Sequence, residues 1–546
     1  MREKKPNWPY PRIDHFPGRF ERFSYRTYNW LENRIWPVRP VPFLAIITTA
    51  TGYQLRNCGL SDLQTNWQII IKPFIISIGS VYTAVFVLRH FLKYFYFSYK
   101  GFLKENPKKP SFLTMLWGAL RKTNLVLINS ERFVFRIVSE MMDRNDKSTG
   151  FLSKIGALTT DKRTEWSINR QKFFLENKNN KKLLEVIETA QFVTSVDDSV
   201  EWGVETTEQA SQYMKDMITG DGTNRWFDKT MNYAVCANGR GGATGEHSPC
   251  DGAELDHLCE NFLNIDKQIL KSPSKKQQLE NAKITEKDKK ELKMAEKLEF
   301  EVVNGMKEEV ERCYDSHMKA TDDLHMHSMI FLDFGKGRLK KCGISPDGFV
   351  QMAIQLAYYK DQGIFTQTYE PGSVRFYANS RTETLRPVTE ASCDFVKSVM
   401  DEKSTREIRR KLLKNACEVH VNNCKEIMLG NGVDRHLFIL CVIAKGLGYS
   451  SPFLDFYASQ KWLLSTSNIP NMTNSIDEDS SVDKIMLGGS FGAVAQDGYG
   501  ICYRFGGNQA ILVHVTSYHS SEITNSDRIG AHLKEAFHTL ADLFED

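Results

Sequence analysis

His247 and Asp251 stand four residues apart in the turn Gly245–Gly252, GEHSPCDG. An imidazole carried on a Gly-, Ser- and Pro-rich turn is presented to a substrate, and a nearby carboxylate orients the ring or stabilises its charged form. That is the equipment of a general base acting on a hydroxyl. NRWFDK (Asn224–Lys229) lies upstream, and Gly239, Gly241 and Gly242 precede the histidine. Read alone, these eight residues fit an ordinary surface loop better, because a short motif is a hypothesis until its context agrees.

Three further stretches carry chemically useful side chains. Lys336 and Lys340 are one helical turn apart, flanking Gly335 and Gly337, with Lys341 next and the helix start Ser345-Pro346-Asp347 beyond. Lysines on a backbone that glycine lets approach closely suit a phosphate, and the bland alternative is a solvated basic turn. Ser465, Thr466 and Ser467 alone read as a turn capping local backbone, and Arg435 alone as a structural ion pair with Asp434 or another acid. His317, His325 and His327 have no set of Cys or carboxylate ligands at a recognised spacing, so no metal is expected.

The elements that must position these groups are readable in outline. Asp161–Lys178, Lys181–Thr194, Ser345–Tyr359 and Asp527–Glu545 read as helices, and Ser345-Pro346-Asp347 is a strong N-terminal cap. Met231–Cys236, leading into the histidine turn, Met329–Phe334 and Ile511–Val515 read as strands. Asp266–Asn304 reads as a solvated loop plus surface helix, and no internal repeat is present. The fold class is therefore mixed α/β.

With 546 residues the chain has length for two or three domains. Lys+Arg (71) nearly balance Asp+Glu (67), which gives no reason to expect nucleic acid. Eleven scattered cysteines without a CxxC pair favour free thiols in a reducing compartment. No cleavable signal peptide is expected in residues 1–40, which are rich in Arg, Pro and aromatics. Val41–Leu55 and Gln68–His90 are apolar. Each alone is a span or a buried core helix, and together they read as a transmembrane hairpin. Basic residues crowd both outer flanks (Arg34 and Arg39 before, Arg89 and Lys93 after), while the loop near Asn57–Asn66 has little positive charge, so both ends are expected on the cytosolic side. The expected layout is a tail over 1–40, a hairpin over 41–97, a linker over 98–150 and a catalytic domain over 151–546.

NRWFDK and EHSPCDG resemble the active-site segment of the carnitine and choline acyltransferases. The likeness continues in order through FGKGRLKKCGISPD (Phe334–Asp347), QLAYYKDQGIFTQTYE (Gln355–Glu370), SRTETLRPVT (Ser380–Thr389), GVDRHL (Gly432–Leu437), LSTSNIP (Leu464–Pro470), GGSFGAVAQDGYGICY (Gly488–Tyr503) and SSEITN (Ser520–Asn525). The resemblance implies a CoA-dependent acyltransferase fold of the chloramphenicol acetyltransferase type, and the palmitoyltransferase branch of the family. Relatives carry a large block ahead of GALTTDKRTEWSINR (Gly156–Arg170) that is almost absent here, so the first half of that fold is expected to be truncated.

In residue terms the resemblance implies His247 as the base for the carnitine hydroxyl, with Asp251 beside it and Ser467 of the STS motif at the oxyanion. It implies CoA at Gly335, Lys336, Gly337, Lys340, Lys341, Ser345 and Asp347. Carnitine would lie at Tyr369, Thr382, Arg435 and Ser465, and Gly489 would leave an acyl tunnel open. Pro249 stands where palmitoyltransferases usually have an aromatic, as in the choline enzyme. The implied partners are long-chain acyl-CoA, L-carnitine and membrane lipid at the mitochondrial outer membrane. No cofactor is expected, since acyl-CoA is a substrate, and self-association stays open. The rival readings are a pseudoenzyme that binds acyl-CoA or malonyl-CoA at the membrane, and a choline acyltransferase.

Overall fold

A computed structural model describes residues 19–35, 40–56, 67–91, 111–113, 115, 150–190, 192–197, 201–248, 251–252, 296–374, 381–469, 479 and 485–545. The loop near Asn57–Asn66, Pro249, nearly all of the 98–150 linker and most of Asp266–Asn304 lie outside them. The chain divides into two compact units, Met1–Phe135 and Arg136–Asp546.

The first unit holds helices α1 (Arg19–Ile35), α2 (Pro40–Arg56) and α3 (Trp67–His90). The segment read as a tail is thus helical over much of its length. Ile35 of α1, Phe43 and Ile47 of α2 and Val85 of α3 pack into one small core. Among the described residues of this unit, Pro73–His90 alone is long and apolar enough to cross a membrane; the apolar part of α2, Val41–Tyr53, is shorter.

In the second unit a 3₁₀ segment (Phe151–Thr160) precedes α4 (Arg163–Asn169), a π turn (Arg170–Leu175) and α5 (Lys178–Thr189). The stretch read as one helix over Asp161–Lys178 is therefore a short α-helix continued by the π turn. Strands β1 (Val193–Asp197), β2 (Met231–Cys236) and β3 (Gly241–Gly245) form a sheet in that order, β2 parallel to β1 and antiparallel to β3. Helix α6 (Thr207–Thr219) is opened by a Thr206/Gln209 capping box, and α7 (Met306–Asp323) follows. Trp166, Phe173, Phe174, Trp226, Met306 and Val310 fill one core of this region.

The remaining strands are β4 (Leu324–Phe331), β5 (Thr368–Ser373), β6 (Thr382–Leu385), β7 (Leu464–Asn468), β8 (Tyr499–Gly506) and β9 (Ala510–Tyr518). They make a six-stranded sheet in the order β4-β9-β8-β7-β5-β6, in which β7 runs parallel to both of its neighbours. The helices are α8 (Lys336–Lys341), α9 (Pro346–Gln362), α10 (Glu390–Met400), α11 (Arg406–Met428), α12 (Asp434–Leu447), α13 (Pro452–Ser459) and α14 (Ser526–Asp542). Ser345 caps α9 by accepting from the Gly348 N–H, Pro346 stands in the first turn, and Gly363 ends the helix at φ 71°. Helices α9, α10, α11 and α14 cover one face of the sheet, burying Phe349, Leu356, Phe395, Leu413, Phe537 and Leu540 against Leu464, Tyr499, Ile501 and Val513. On the other face Met214 and Met217 of α6 pack with Met326, Leu487 and Leu512.

Period-two alternation then sorts the strand residues that matter. Ser465 is the register partner of Tyr369, Thr382 of Ser373, and Thr384 of Pro371. Tyr369, Thr382, Ser465 and Ser467 therefore share one face. Glu370, Glu383, Thr466 and Asn468 point the other way, toward α9 and α11.

Candidate active site

The histidine turn leaves β3 and is pinned at once. Glu246 N–H donates to the Thr230 carbonyl at 3.1 Å, and its carboxylate accepts from the Ser248 N–H at 3.0 Å and from Arg163. Burial raises the Glu246 carboxyl, but the Ser248 donors and the nearby Arg163 guanidinium outweigh it and hold the group below its ordinary value. His247 is thereby presented outward, its side chain 67% exposed.

The residue that organises this turn is Arg381. Its Nη2 donates to the His247 carbonyl at 2.8 Å and lies 3.1 Å from His247 Nδ1; Nη1 donates to the Ser248 carbonyl at 2.7 Å, and Nε to Asp251 Oδ1 at 2.6 Å. Asp251 itself is 4.0 Å from Nδ1, so the guanidinium stands between ring and carboxylate. A guanidinium only donates, so Nδ1 accepts and the neutral ring carries its proton on Nε2. Arg381 lies 134 residues beyond His247, within the SRTETLRPVT block but with no role assigned to it there. The only sign of it in sequence is its place immediately before Thr382.

That adjacency links the turn to the next group. Arg435 Nε donates to the Thr382 carbonyl at 2.7 Å and its Nη2 to Thr382 Oγ1 at 3.2 Å, while the Arg435 N–H donates to Glu383 Oε1 at 3.0 Å. Asp434 is taken instead by Arg386, bidentately at 2.9 and 2.5 Å. Among the described residues the Arg435 guanidinium has no carboxylate partner, and the side chain is exposed. Asp251, His247, Arg381, Thr382 and Arg435 thus form one connected series.

Tyr369, Ser465 and Ser467 lie on the same sheet face as Thr382. Ser465 is buried and Ser467 half-buried, and Thr466, pointing oppositely, donates to the Tyr369 carbonyl at 2.8 Å. Gly489 sits beside Ile469, whose Cδ1 would be 2.8 Å from a Cβ placed there. The lysine segment is elsewhere: α8 packs on the β8–β9 turn, where a Cβ on Gly335 would meet the Ala510 nitrogen and the Asn508 carbonyl at 2.6 Å. Lys340 and Lys341 are exposed and Lys336 is half-buried. The Gly337 N–H donates to Asn508 O at 3.0 Å.

Two residues of the expected CoA set have side chains engaged within the protein. Ser345 is the α9 cap, and Asp347 accepts from Tyr503 at 2.7 Å, Asn468 at 2.6 Å and His420 at 3.1 Å. Of the histidines set aside as metal ligands, His317 contacts the Thr219 carbonyl at 2.8 Å. His325 and His327 share Asp527, at 3.1 and 2.8 Å.

Comparison with known proteins adds to this geometry. A model of the choline/carnitine O-acyltransferase family matches residues 128–535. The muscle isoform of carnitine O-palmitoyltransferase 1 of Homo sapiens is 38% identical over 394 residues, covering 72% of this chain and 50% of that protein. The human liver isoform is 36% identical over 410 residues, covering 74% and 52%. Carnitine O-acetyltransferase of Columba livia is 30% identical over 402 residues, covering 72% and 59%. The chain spans about half the length of the curated relatives it matches first.

Proposed function

We propose, for a chain that belongs to the choline/carnitine O-acyltransferase family, the transfer of a long-chain acyl group from acyl-CoA to the hydroxyl of carnitine, carried out at a membrane. The observation that carries this reading is Arg435. It is an exposed guanidinium, held by Thr382, with Asp434 already satisfied by Arg386, and Thr382 adjoins the arginine that grips His247. A zwitterion with a carboxylate fits such a group, whereas choline offers no carboxylate to it.

In the proposed reaction a ring nitrogen of His247 takes the hydroxyl proton as the alkoxide oxygen bonds to the thioester carbonyl carbon. Ser467, on the shared sheet face, donates to the developing oxyanion. The C–S bond then breaks, and the CoA thiolate recovers the proton from the imidazolium. For Nε2 to accept, its proton must first move to Nδ1, which requires Arg381 to give up that nitrogen. Lys336, Lys340 and Lys341 would hold the phosphates of CoA, with Gly335 and Gly337 allowing the backbone to approach. Ser345 and Asp347 would support that loop from within. Asp251 would act through Arg381. Tyr369 and Ser465 would line the carnitine site, and Gly489 would leave room for the acyl chain.

Helix α3, with Phe74, Ile75, Ile76, Phe86 and Val87 exposed, supports a membrane anchor, and α2 would complete a hairpin in the mitochondrial outer membrane facing the cytosol. One observation favours a second reading, a protein that binds the substrates without turning them over: His247 is largely solvent-exposed with Nδ1 capped by Arg381. Turnover of palmitoyl-CoA and carnitine by the purified chain, beside His247→Ala, separates the two. Equal rates would leave only the binding reading.

A further inference from the structure

Behind Tyr369 and Ser467, on the opposite face of the same strands, the fold buries a group of polar side chains that the proposed reaction meets only at Asp347, the residue that supports the lysine loop. Asp347 from the first turn of α9, Glu370 from β5 and His420 from α11 bring one donor atom each to within 4.8 Å of one another. His420 Nε2 is 3.1 Å from Asp347 Oδ2 and 3.5 Å from Glu370 Oε2. Glu370 is 4% exposed and His420 2%.

Two features mark this group as incomplete. The first is charge: among the described residues neither carboxyl group pairs with a Lys or Arg, and burial with Asp347 nearby pushes the Glu370 carboxyl well above its ordinary range, so ionising both needs a counter-charge. The second is valence. Glu370 Oε2, Asn468 Oδ1 and Gln351 Oε1 are buried acceptors with no hydrogen-bond partner among the described residues, and His420 Nδ1 is likewise unmatched. Buried oxygens with nothing to accept, on residues bonded to or belonging to a pair of carboxyl groups and an imidazole, are what a bound cation satisfies.

The geometry points to a divalent transition-metal site, Zn²⁺ being its best match, formed by Asp347 Oδ2, Glu370 Oε2 and His420 Nε2. Donor atoms about 2.0–2.1 Å from a tetrahedral centre stand roughly 3.3 Å apart, the range in which both printed separations fall. Tyr503 and Asn468 hold the other oxygen of Asp347 at 2.7 and 2.6 Å, which is how outer partners orient a metal-bound carboxylate. Asp347 keeps its side chain 28% exposed, which leaves an entry path and a place for water as fourth ligand. The ion would tie α9 and α11 to β5 directly beneath Tyr369. Spacing hides it, since the ligands come from three elements and 73 residues separate Asp347 from His420.

The test uses the full chain in detergent, stripped with chelator, dialysed against Zn²⁺ and assayed for bound metal and for thermal unfolding. The wild type should retain about one Zn²⁺ per chain and unfold at a higher temperature with it. Glu370→Gln and His420→Asn should each bind at least tenfold more weakly and lose that shift. Glu370→Gln, which preserves shape, guards against a mere folding defect. The double variant His325→Gln/His327→Gln, at the histidine pair on Asp527, should bind like wild type. No retained metal, binding unchanged in Glu370→Gln and His420→Asn, or binding lost only in the His325/His327 variant would each overturn the assignment.

Discussion

Arg381 Nη2 lies 3.1 Å from His247 Nδ1, and the same guanidinium holds Asp251 at 2.6 Å and two carbonyls of the histidine turn. The carboxylate four residues past the histidine therefore reaches the ring through an arginine. Removing either partner leaves the other charge without its counterpart in a partly enclosed place, and Asp251 has a side chain only 13% exposed.

Arg381→Ala and Asp251→Ala are each expected to lower kcat/KM by roughly 10- to 100-fold, the scale of about 1.5–3 kcal/mol for a charged hydrogen bond. Because both act on His247 as one unit, the double variant should lose little more than the worse single one. A double-mutant cycle measures this, and fully additive losses would refute the coupling.

Arg435→Asn should raise the KM for carnitine by about 10- to 100-fold while leaving that for acyl-CoA within twofold, since in the proposed reaction only carnitine's carboxylate would meet the guanidinium. Arg435 also holds Thr382 through two bonds, so Thr382→Val should produce a smaller effect in the same direction. A variant that instead loses affinity for acyl-CoA, or that turns over choline as well as the wild type does carnitine, would remove the assignment.

Local grammar was legible and long-range partnership was not. Helix α9 follows from Ser345-Pro346-Asp347, and β2 appears over Met231–Cys236 as expected, because caps and apolar runs act within a few residues. Strand β4 begins at Leu324, five residues ahead of the expected Met329: His325 and His327 join it through pairing with Ser517 and Val515 of β9, with Asp527, 200 residues on from His327, as their side-chain partner. Arg381 was invisible for the same reason. It stands inside SRTETLRPVT, which resembles a family pattern, but its contact with His247 is made across 134 residues and exists only in the fold. The buried Asp347–Glu370–His420 group likewise depends on which face each strand residue takes.

Gly489 sets the acyl-length prediction. A Cβ there meets only the tip of Ile469, so Gly489→Met should fold while filling the space ahead of it. Each methylene excluded from an apolar tunnel costs about 0.8 kcal/mol. The ratio of palmitoyl to acetyl turnover should fall by at least an order of magnitude, with the KM for carnitine unchanged. Parallel assays across acyl lengths decide it, and an unshifted preference would place the acyl chain elsewhere.

His514 offers the clearest pH dependence. It is 1% exposed; Nδ1 lies 3.0 Å from Ser328 Oγ and Nε2 2.8 Å from the Leu487 carbonyl, two residues before Gly489. Burial, partly opposed by the Leu487 carbonyl and aided by the charge of Arg504, pushes the imidazole down from 6.5 to about 4. The unfolded chain therefore takes up a proton near pH 6.5 while the folded ring stays neutral until about pH 4, so stability is lost as pH falls through that window. The loss approaches the order of 3 kcal/mol, at 1.36 kcal/mol per unit. In His514→Gln, urea unfolding in detergent should show an acid limb shallower by one proton between pH 6 and 4.5. A limb as steep as the wild type's would mean that other groups carry the dependence and that the ring does not pin the Leu487–Gly489 segment.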